Sequence, residues 1–254
     1  PGLTNYGPPL GLVHISGEKS TQDVGGAGSR AVDGLLFGSR DALLAHHHGA
    51  TLSITPPVSL SLTPGISALH STGSRHKLEN GAVVKDEVAA HVEIRIPNGS
   101  NGIGSIRNGL EAGDGVWGHI RAGDLPLVVE AHSADIIASL IHLKRNSAND
   151  NVKLVISGGT EAHLLATELG EADIGVLVKP SRPFPYLWDG VRLLPGPPLT
   201  PKSAIKTLLD ANVTVGVGVL SDGRGCWARN LRFDIGWAGI EAVWSPERRR
   251  WNGN

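Results

Sequence analysis

The sequence has 254 residues, with 23 Lys and Arg against 24 Asp and Glu, and a formal net charge of −1 at pH 7. A chain of this length can bury a full core and lies within the range of one (β/α) barrel domain. The balanced charge provides no general attraction to nucleic acid or anionic membranes, and no stretch approaches the ~20 apolar residues of a membrane span. The single cysteine, Cys226, excludes an internal disulfide framework and a thiolate metal cluster.

The first half of the chain gives weak signals for secondary structure. Residues 1–12 contain a short strand pattern that runs into a proline-rich turn, and an apolar stripe predicts a helix from about Arg30 to Gly49. Residues 50–55 are typical of a strand, which Pro56 ends. Residues 58–87 allow no prediction, residues 88–96 alternate like a half-exposed strand, and residues 99–115 indicate a loop or a poorly formed helix.

From Leu125 onward the pattern is regular. Apolar strands are predicted at residues 127–131, 152–156, 174–178 and 213–219. The helices between them are predicted to begin at the N-cap residues Ser133, Thr160 and Thr200, and Thr200 is followed by Pro201 at the first helical position. A final helix is predicted at residues 228–243. Strands buried on both faces and separated by helices indicate an α/β fold with a parallel sheet, and the strand count approaches a barrel.

Polar residues stand where two of these strands end. In a parallel α/β fold ligands bind at the carboxyl ends of the strands, so Glu130, His132, Gly158, Gly159 and Thr160 are the candidate site. Glu130 and His132 are two residues apart on a strand and therefore lie on the same face. Together they could bind a metal or act as an acid–base pair; the alternative is a structural ion pair that satisfies two buried polar groups.

Three further features have a functional and a structural interpretation. The Gly158-Gly159-Thr160 turn could offer backbone N–H groups to an anion, or it could simply connect a strand to a helix. The proline-rich residues 180–198, with Tyr186 and Trp188, could form a pocket wall or lid, or a packed cover. His46, His47 and His48 are interpreted as the surface end of a helix, since adjacent helical residues cannot converge on one metal ion.

Several blocks of sequence together point to a family: PGL…LGL at the start, VVEAHSADIIASLIHLK, KLVISGGTEAHLLATEL, GPPLTPKSAIKTLLDANVTVGVGV and ARNLRFDIGWA. The chain resembles imidazolonepropionase-like amidohydrolases, and most closely a fungal branch often labelled carbohydrate esterase family 9. The resemblance implies a TIM-type (β/α)8 barrel of the metallo-dependent hydrolase type. Such enzymes hydrolyse carbon–nitrogen bonds other than peptide bonds with water that is activated by zinc or another divalent metal.

The resemblance also shows which ligands of that metal are replaced. The HxH pair after the first strand falls on Gly7 and Pro9, and the two later histidines fall on Glu130 and Gly158. The final aspartate falls on or near Leu220, two residues before Asp222. We therefore expect a degenerate metal site without a stoichiometric metal cofactor.

The resulting prediction is a single amidohydrolase-like barrel domain over residues 1–254, truncated at both ends and lacking the flanking β subdomain. Its catalytic candidates are Glu130, His132 and Asp222, and its substrate-binding candidates are Gly158, Gly159, Thr160, Tyr186 and Trp188. The alternative is a non-catalytic module that binds a small molecule or a partner. Expected partners are a small-molecule substrate or ligand and further copies of the chain in a homo-oligomer, with neither nucleic acid nor membrane; localisation is not predicted.

Overall fold

The computed structural model of the protein describes residues 2–15, 18–23, 28–57, 63–94, 99–182, 192–219 and 225–243. It has a mixed α/β fold with two sheets. The strands are β1 (Leu3–Tyr6), β2 (Ala50–Thr55), β3 (Gly65–Ile66), β4 (Ala68–Ser71), β5 (Val83–Lys85), β6 (Ala90–Glu93), β7 (Leu127–Ala131), β8 (Leu154–Gly158), β9 (Gly175–Val178) and β10 (Val215–Val217). The helices are α1 (Ala31–Gly34), α2 (Arg40–His47), α3 (Gly99–Ala112), α4 (Val116–Ala122), α5 (Ala134–Lys144), α6 (Ala166–Glu171), α7 (Ala204–Asp210) and α8 (Leu231–Val243).

The larger sheet has six strands in the order β10-β9-β8-β7-β6-β3. Its strands β6 to β10 are parallel neighbours, whereas β3 pairs with β6 in the antiparallel direction. The parallel sheet predicted for the second half of the chain is therefore confirmed. Its regularity has a simple cause, because each strand is an apolar run that is followed by a helix able to cover it.

The smaller sheet has the order β1-β2-β4-β5, with β1 and β2 parallel and the other pairs antiparallel. At residues 65–71 the chain passes directly from one sheet to the other. β3 belongs to the larger sheet, and the next strand, β4, belongs to the smaller one. Within the described part of the chain, no strand pairing joins β1 to β10. The closed barrel therefore remains a prediction.

Of the four apolar clusters in the described residues, two position the strands around the site. The main core lies between the larger sheet and its helices, and it includes the fully buried side chains of Ile106, Leu127, Ile137, Ile156 and Leu208. Burying each such side chain stabilises the fold by roughly 1.5–3 kcal/mol. A smaller core brings the two sheets together, since Tyr6 and Ile54 of the smaller sheet pack with the side chains of Val128, Val155 and Leu177.

Several predictions of helices need correction. The helix expected from Arg30 to Gly49 is two helices, α1 and α2, separated by Gly38 in a left-handed conformation with φ of 72°. The segment predicted as a loop or poor helix contains the 14-residue helix α3, which buries Ile103, Ile106 and Leu110. Apolar spacing of three and four residues outweighed the low helix propensity of its glycines.

The predicted N-caps are also revised. Ser133 occupies the N-cap position of α5, but its side chain makes no capping hydrogen bond. Thr200 does not cap α7, which begins at Ala204 after Ser203, whose side chain accepts a hydrogen bond from the Lys206 N–H. None of the helices in the described residues combines the length and the apolar character that crossing a membrane requires.

Candidate functional site

The candidate site lies at the carboxyl ends of the parallel strands, on the face that points away from the helices. On β7 the side chains of Leu127, Val129 and Ala131 belong to the main core, whereas Val128 belongs to the core between the sheets. Because strand side chains alternate, Glu130 and His132 lie on the same face as Val128. The predicted shared face of this pair therefore agrees with the strand's register.

Glu130 is held by a lysine that the sequence analysis did not identify. Lys179 directly follows β9, and its Nζ donates a hydrogen bond to Glu130 Oε2 over 2.9 Å. The lysine is almost completely buried, with 5% of its surface exposed. On the other side of the carboxylate, His132 Nε2 lies 3.7 Å from Glu130 Oε1. The carboxylate therefore lies between an ammonium group and an imidazole.

These neighbours keep Glu130 ionised. Burial disfavours the charged form and would by itself raise the pKa of Glu130. The interaction with His132 and the charge and hydrogen bond of Lys179 outweigh burial and lower the pKa to about 2. Glu130 is therefore a carboxylate at neutral pH, and the predicted alternative of an ion pair agrees with its contact to Lys179.

His132 is fixed in position by the turn that follows β8. Its Nδ1 lies 2.7 Å from Thr160 Oγ1. Gly158 has a left-handed φ of 92°, and a Cβ atom there would lie 2.6 Å from His132 Cε1. Gly158 and Thr160 thus lie at the site in contact with His132, and their substrate-binding role stays a prediction.

Gly159 does not support the anion hypothesis. Its N–H donates to the Ala131 carbonyl over 2.9 Å, and the Glu161 N–H donates to the His132 carbonyl over 3.0 Å. These two N–H groups are therefore already bonded within the protein. The turn connects a strand to the following short helix, which is the structural interpretation given above.

Three further residues complete the site, and all were missed by the sequence analysis. Tyr6 OH lies 3.3 Å from His91 Nδ1, and the two rings stack with centroids 5.9 Å apart. Burial raises the pKa of Tyr6 and lowers the pKa of His91 to about 3, so both side chains are neutral at pH 7. Within the described residues, His91 Nε2 is buried without a hydrogen-bond partner, and a hydrogen bond with Ser157 offsets part of the effect of burial on the pKa of Tyr6.

The signal for these residues was present in the sequence. Lys179 ends the predicted strand at residues 174–178, and Tyr6 precedes the proline-rich turn after the first strand. The strand-end rule that selected Glu130 also applies to both positions. Ser157 could be identified only from the pairing of β8 with β7. In that pairing Ser157 lies in register with Glu130, so its side chain is on the same face.

The turn is also connected to the proline-rich segment. Glu161, whose side chain is 5% exposed, accepts hydrogen bonds from Arg192 and from the Ala134 N–H at the start of α5. Burial opposes ionisation of Glu161, but these hydrogen bonds lower its pKa to about 2. Glu161 therefore performs the capping that was predicted for Ser133. The candidates Tyr186, Trp188 and Asp222 lie outside the described residues, so their predicted roles are untested.

Comparisons with known proteins give two matches, and no family model matches the chain. The chain is 30% identical over 282 aligned residues to amidohydrolase tasK of Hapsidospora irregularis, covering 87% of this chain and 28% of that protein. A crystal structure of an amidohydrolase from Thermotoga maritima MSB8 matches 97% of this chain and 72% of its own, with a TM-score of 0.73 and 18% identity. The sequence match supports assignment of the chain to the amidohydrolase superfamily, and the structural match shows a similar fold. The predicted resemblance is confirmed at that level.

The donor groups of this amidohydrolase-like site do not fit the divalent metal that the family implies. In the part of the chain that the structure describes, no three His, Cys, Asp or Glu side chains converge into a metal site. Glu130 already binds the ammonium of Lys179, so a metal at this carboxylate would meet a positive charge. Catalytic zinc sites usually need three protein ligands, and Gly7 and Gly158, on which the resemblance places two of the family's ligands, have no donor side chain.

Proposed function

We propose that this chain is an amidohydrolase-like hydrolase, of the imidazolonepropionase-like type, that acts on a carbon–nitrogen bond other than a peptide bond in a small polar molecule. The observation that carries the proposal is the row of Lys179, Glu130 and His132 at the carboxyl ends of parallel strands. Superfamily membership supports the reaction class. The chain spans 28% of the length of its curated relative, so the activity of a whole protein of that kind is part of the proposal.

The chemistry follows from the charges of these three side chains. His132 exchanges a proton with water or with the leaving nitrogen, and the neighbouring carboxylate of Glu130 stabilises the imidazolium that forms. An ammonium has three N–H donors, and the contact with Glu130 uses one of them. Lys179 is therefore placed to donate to the oxygen of a polarised carbonyl group, where negative charge develops during hydrolysis.

We further propose that the two sheets form one barrel around this site. Residues 65–71 already link the sheets, and their inner faces share the core of Tyr6 and Val128. A Cβ atom at Gly218, just after β10, would lie 3.5 Å from the Tyr6 carbonyl oxygen at the end of β1. This proximity supports closure between β1 and β10, with the segment β3–β4 as an antiparallel member that an ordinary all-parallel TIM barrel lacks.

Turnover of small cyclic amides and related carbon–nitrogen compounds tests the hydrolase proposal. We expect activity that Glu130→Gln and His132→Ala each reduce by about a hundredfold or more in kcat, which is the usual contribution of acid–base catalysis. Circular dichroism of both variants must match that of the wild type. Unchanged kcat in two folded variants would contradict the assigned roles.

The second candidate is the non-catalytic binding module. It is favoured by the ion pair between Lys179 and Glu130, which satisfies the buried ammonium and the half-buried carboxylate without any reaction. Ligand binding measured by calorimetry separates the candidates. Binding without turnover, retained in His132→Ala, would support the binding module.

A further inference from the structure

We infer that the ammonium group of Lys179 takes the place of a divalent metal ion in this site, so that the protein functions without a metal. The inference rests on the proposed ligand site. Its test measures metal binding and not turnover, so a failure of this inference is distinguishable from a failure of the proposed hydrolase function.

The position of the lysine is the first step of the argument. Lys179 follows a strand whose end faces Glu130, and its nearly buried Nζ lies 2.9 Å from the carboxylate. A buried charge needs a partner of opposite sign, and Glu130 provides it. A divalent ion at the same carboxylate would have to displace the ammonium or lie beside it, and like charges in a poorly solvated site repel each other.

The second step concerns the imidazole groups around the carboxylate. Metal-binding histidines are usually oriented by a hydrogen bond to the ring nitrogen that does not bind the metal. Thr160 holds Nδ1 of His132, and Tyr6 lies within hydrogen-bond distance of Nδ1 of His91. The Nε2 atom of His132 faces Glu130, and Nε2 of His91 is buried without a partner within the described residues.

The third step is the strand register, which brings these groups to one face. His91 pairs with Val128, two residues before Glu130, and Val128 lies on the interior face of β7. The site therefore holds one carboxylate and two imidazoles, which is the ligand number of a catalytic zinc site. In the described residues these groups do not converge on one point while Lys179 binds the carboxylate. Removing the lysine frees Glu130 to turn toward the imidazoles, and the three groups should then bind a metal.

The test compares metal binding by the wild type and by Lys179→Gln. With Zn²⁺ in calorimetry, we expect no saturable site in the wild type and one site per chain in Lys179→Gln. Zn²⁺ should raise the melting temperature of the variant only. Co²⁺ should give visible d–d absorption only in the variant. Lys153→Gln removes an exposed lysine and serves as the matched control that stays like the wild type.

A double variant identifies the ligand. Lys179→Gln with Glu130→Gln should lose the gained Zn²⁺ binding, because the carboxylate is removed. The inference is overturned if the wild type binds one Zn²⁺ per chain as tightly as Lys179→Gln does. It is equally overturned if a folded Lys179→Gln gains no site, or if its site persists without the Glu130 carboxylate.

Lys179→Ala provides a second variant in case Lys179→Gln does not fold, with circular dichroism as the criterion. If neither variant folds, Zn²⁺ titration of the wild type and of Glu130→Gln decides. A saturable wild-type site that Glu130→Gln weakens would overturn the inference. The absence of a saturable site would support it.

Discussion

The two sheets distribute their polar side chains in opposite ways. In the six-stranded sheet, apolar residues pack against the helices, while Glu130 and Ser157 lie on the opposite face. In the four-stranded sheet, Tyr6 and Ile54 join the shared inner core. Because strand side chains alternate, Asn5 and Ser53 lie on the opposite, outer face of the sheet. His70 pairs in register with Ser53 and lies on the same face, and all three side chains are buried there.

This difference explains where a site can form. The charged groups Glu130 and Lys179 stand on strands whose other face is fixed by a large apolar core, which holds a polar site in one geometry. The four-stranded sheet contributes an aromatic wall through Tyr6 and keeps its own polar groups away from the interior. A site with one polar and one apolar wall suits a small organic ligand.

Acid should give the largest effect, and it tests whether the two sheets unfold together. Burial lowers the pKa of His91 in the larger sheet to about 3 and that of His70 in the smaller sheet to about 4, from 6.5. Below pH 6.5 the unfolded chain therefore binds protons that the folded chain does not, and stability falls as the pH drops through these folded values. We expect the melting temperature to decrease steadily between pH 6.5 and 4.

Variants assign this acid sensitivity to each sheet. His70→Gln and His91→Gln should each make the decrease shallower, and the double variant should make it shallowest. Glu130 also lowers the stability of the fold at lower pH. Its contribution to the free energy of unfolding is fully present above pH 4.5 and is lost as the pH falls toward 2. Two separate thermal transitions, each affected by one variant only, would contradict a single cooperative unit.

A smaller effect is expected at the turn that supports His132. Gly158→Ala places a side chain at positive φ against the imidazole, and it should cost about 3 kcal/mol through backbone strain and overpacking. Gly81→Ala is the matched control in the turn before β5 of the other sheet, because its φ is 80° and no atom lies within 4 Å of the added Cβ. It should cost about 1–2 kcal/mol. Urea unfolding measures both values, and equal costs would remove the argument that Gly158 makes room for His132.

The sequence predicted β7 to β10 of the six-stranded sheet well because these strands carry continuous apolar runs separated by helical periodicity. It allowed no prediction at residues 58–87, where the structure has the short strands β3, β4 and β5, of two to four residues each. β4 depends on pairing with β2, and β5 on pairing with β4, and such pairing between strands leaves no local sequence pattern. The helix α3 was predicted only as a loop or a poor helix, because the low helix propensity of its glycines outweighed its stripe of buried apolar residues in the prediction.

The site was predicted in part for a similar reason. Glu130 and His132 are two residues apart at the end of one strand, so local spacing revealed them. Lys179 approaches them only through the pairing of β7, β8 and β9, and Tyr6 comes from the other sheet. Groups that meet through tertiary structure need the strand order, which the sequence did not supply.

The smallest expected effect concerns how the helices of the two regions are capped. At α2, beside the four-stranded sheet, Ser39 Oγ accepts a hydrogen bond from the Ala42 N–H, so Ser39→Ala should cost about 1 kcal/mol. At α5, beside the six-stranded sheet, the distant Glu161 accepts from the Ala134 N–H, and Ser133 makes no capping bond. Ser133→Ala should therefore stay within about 0.5 kcal/mol of the wild type in urea unfolding. A larger loss for Ser133→Ala than for Ser39→Ala would reverse this assignment, because α5 would then depend on its local serine and not on the carboxylate that also binds Arg192.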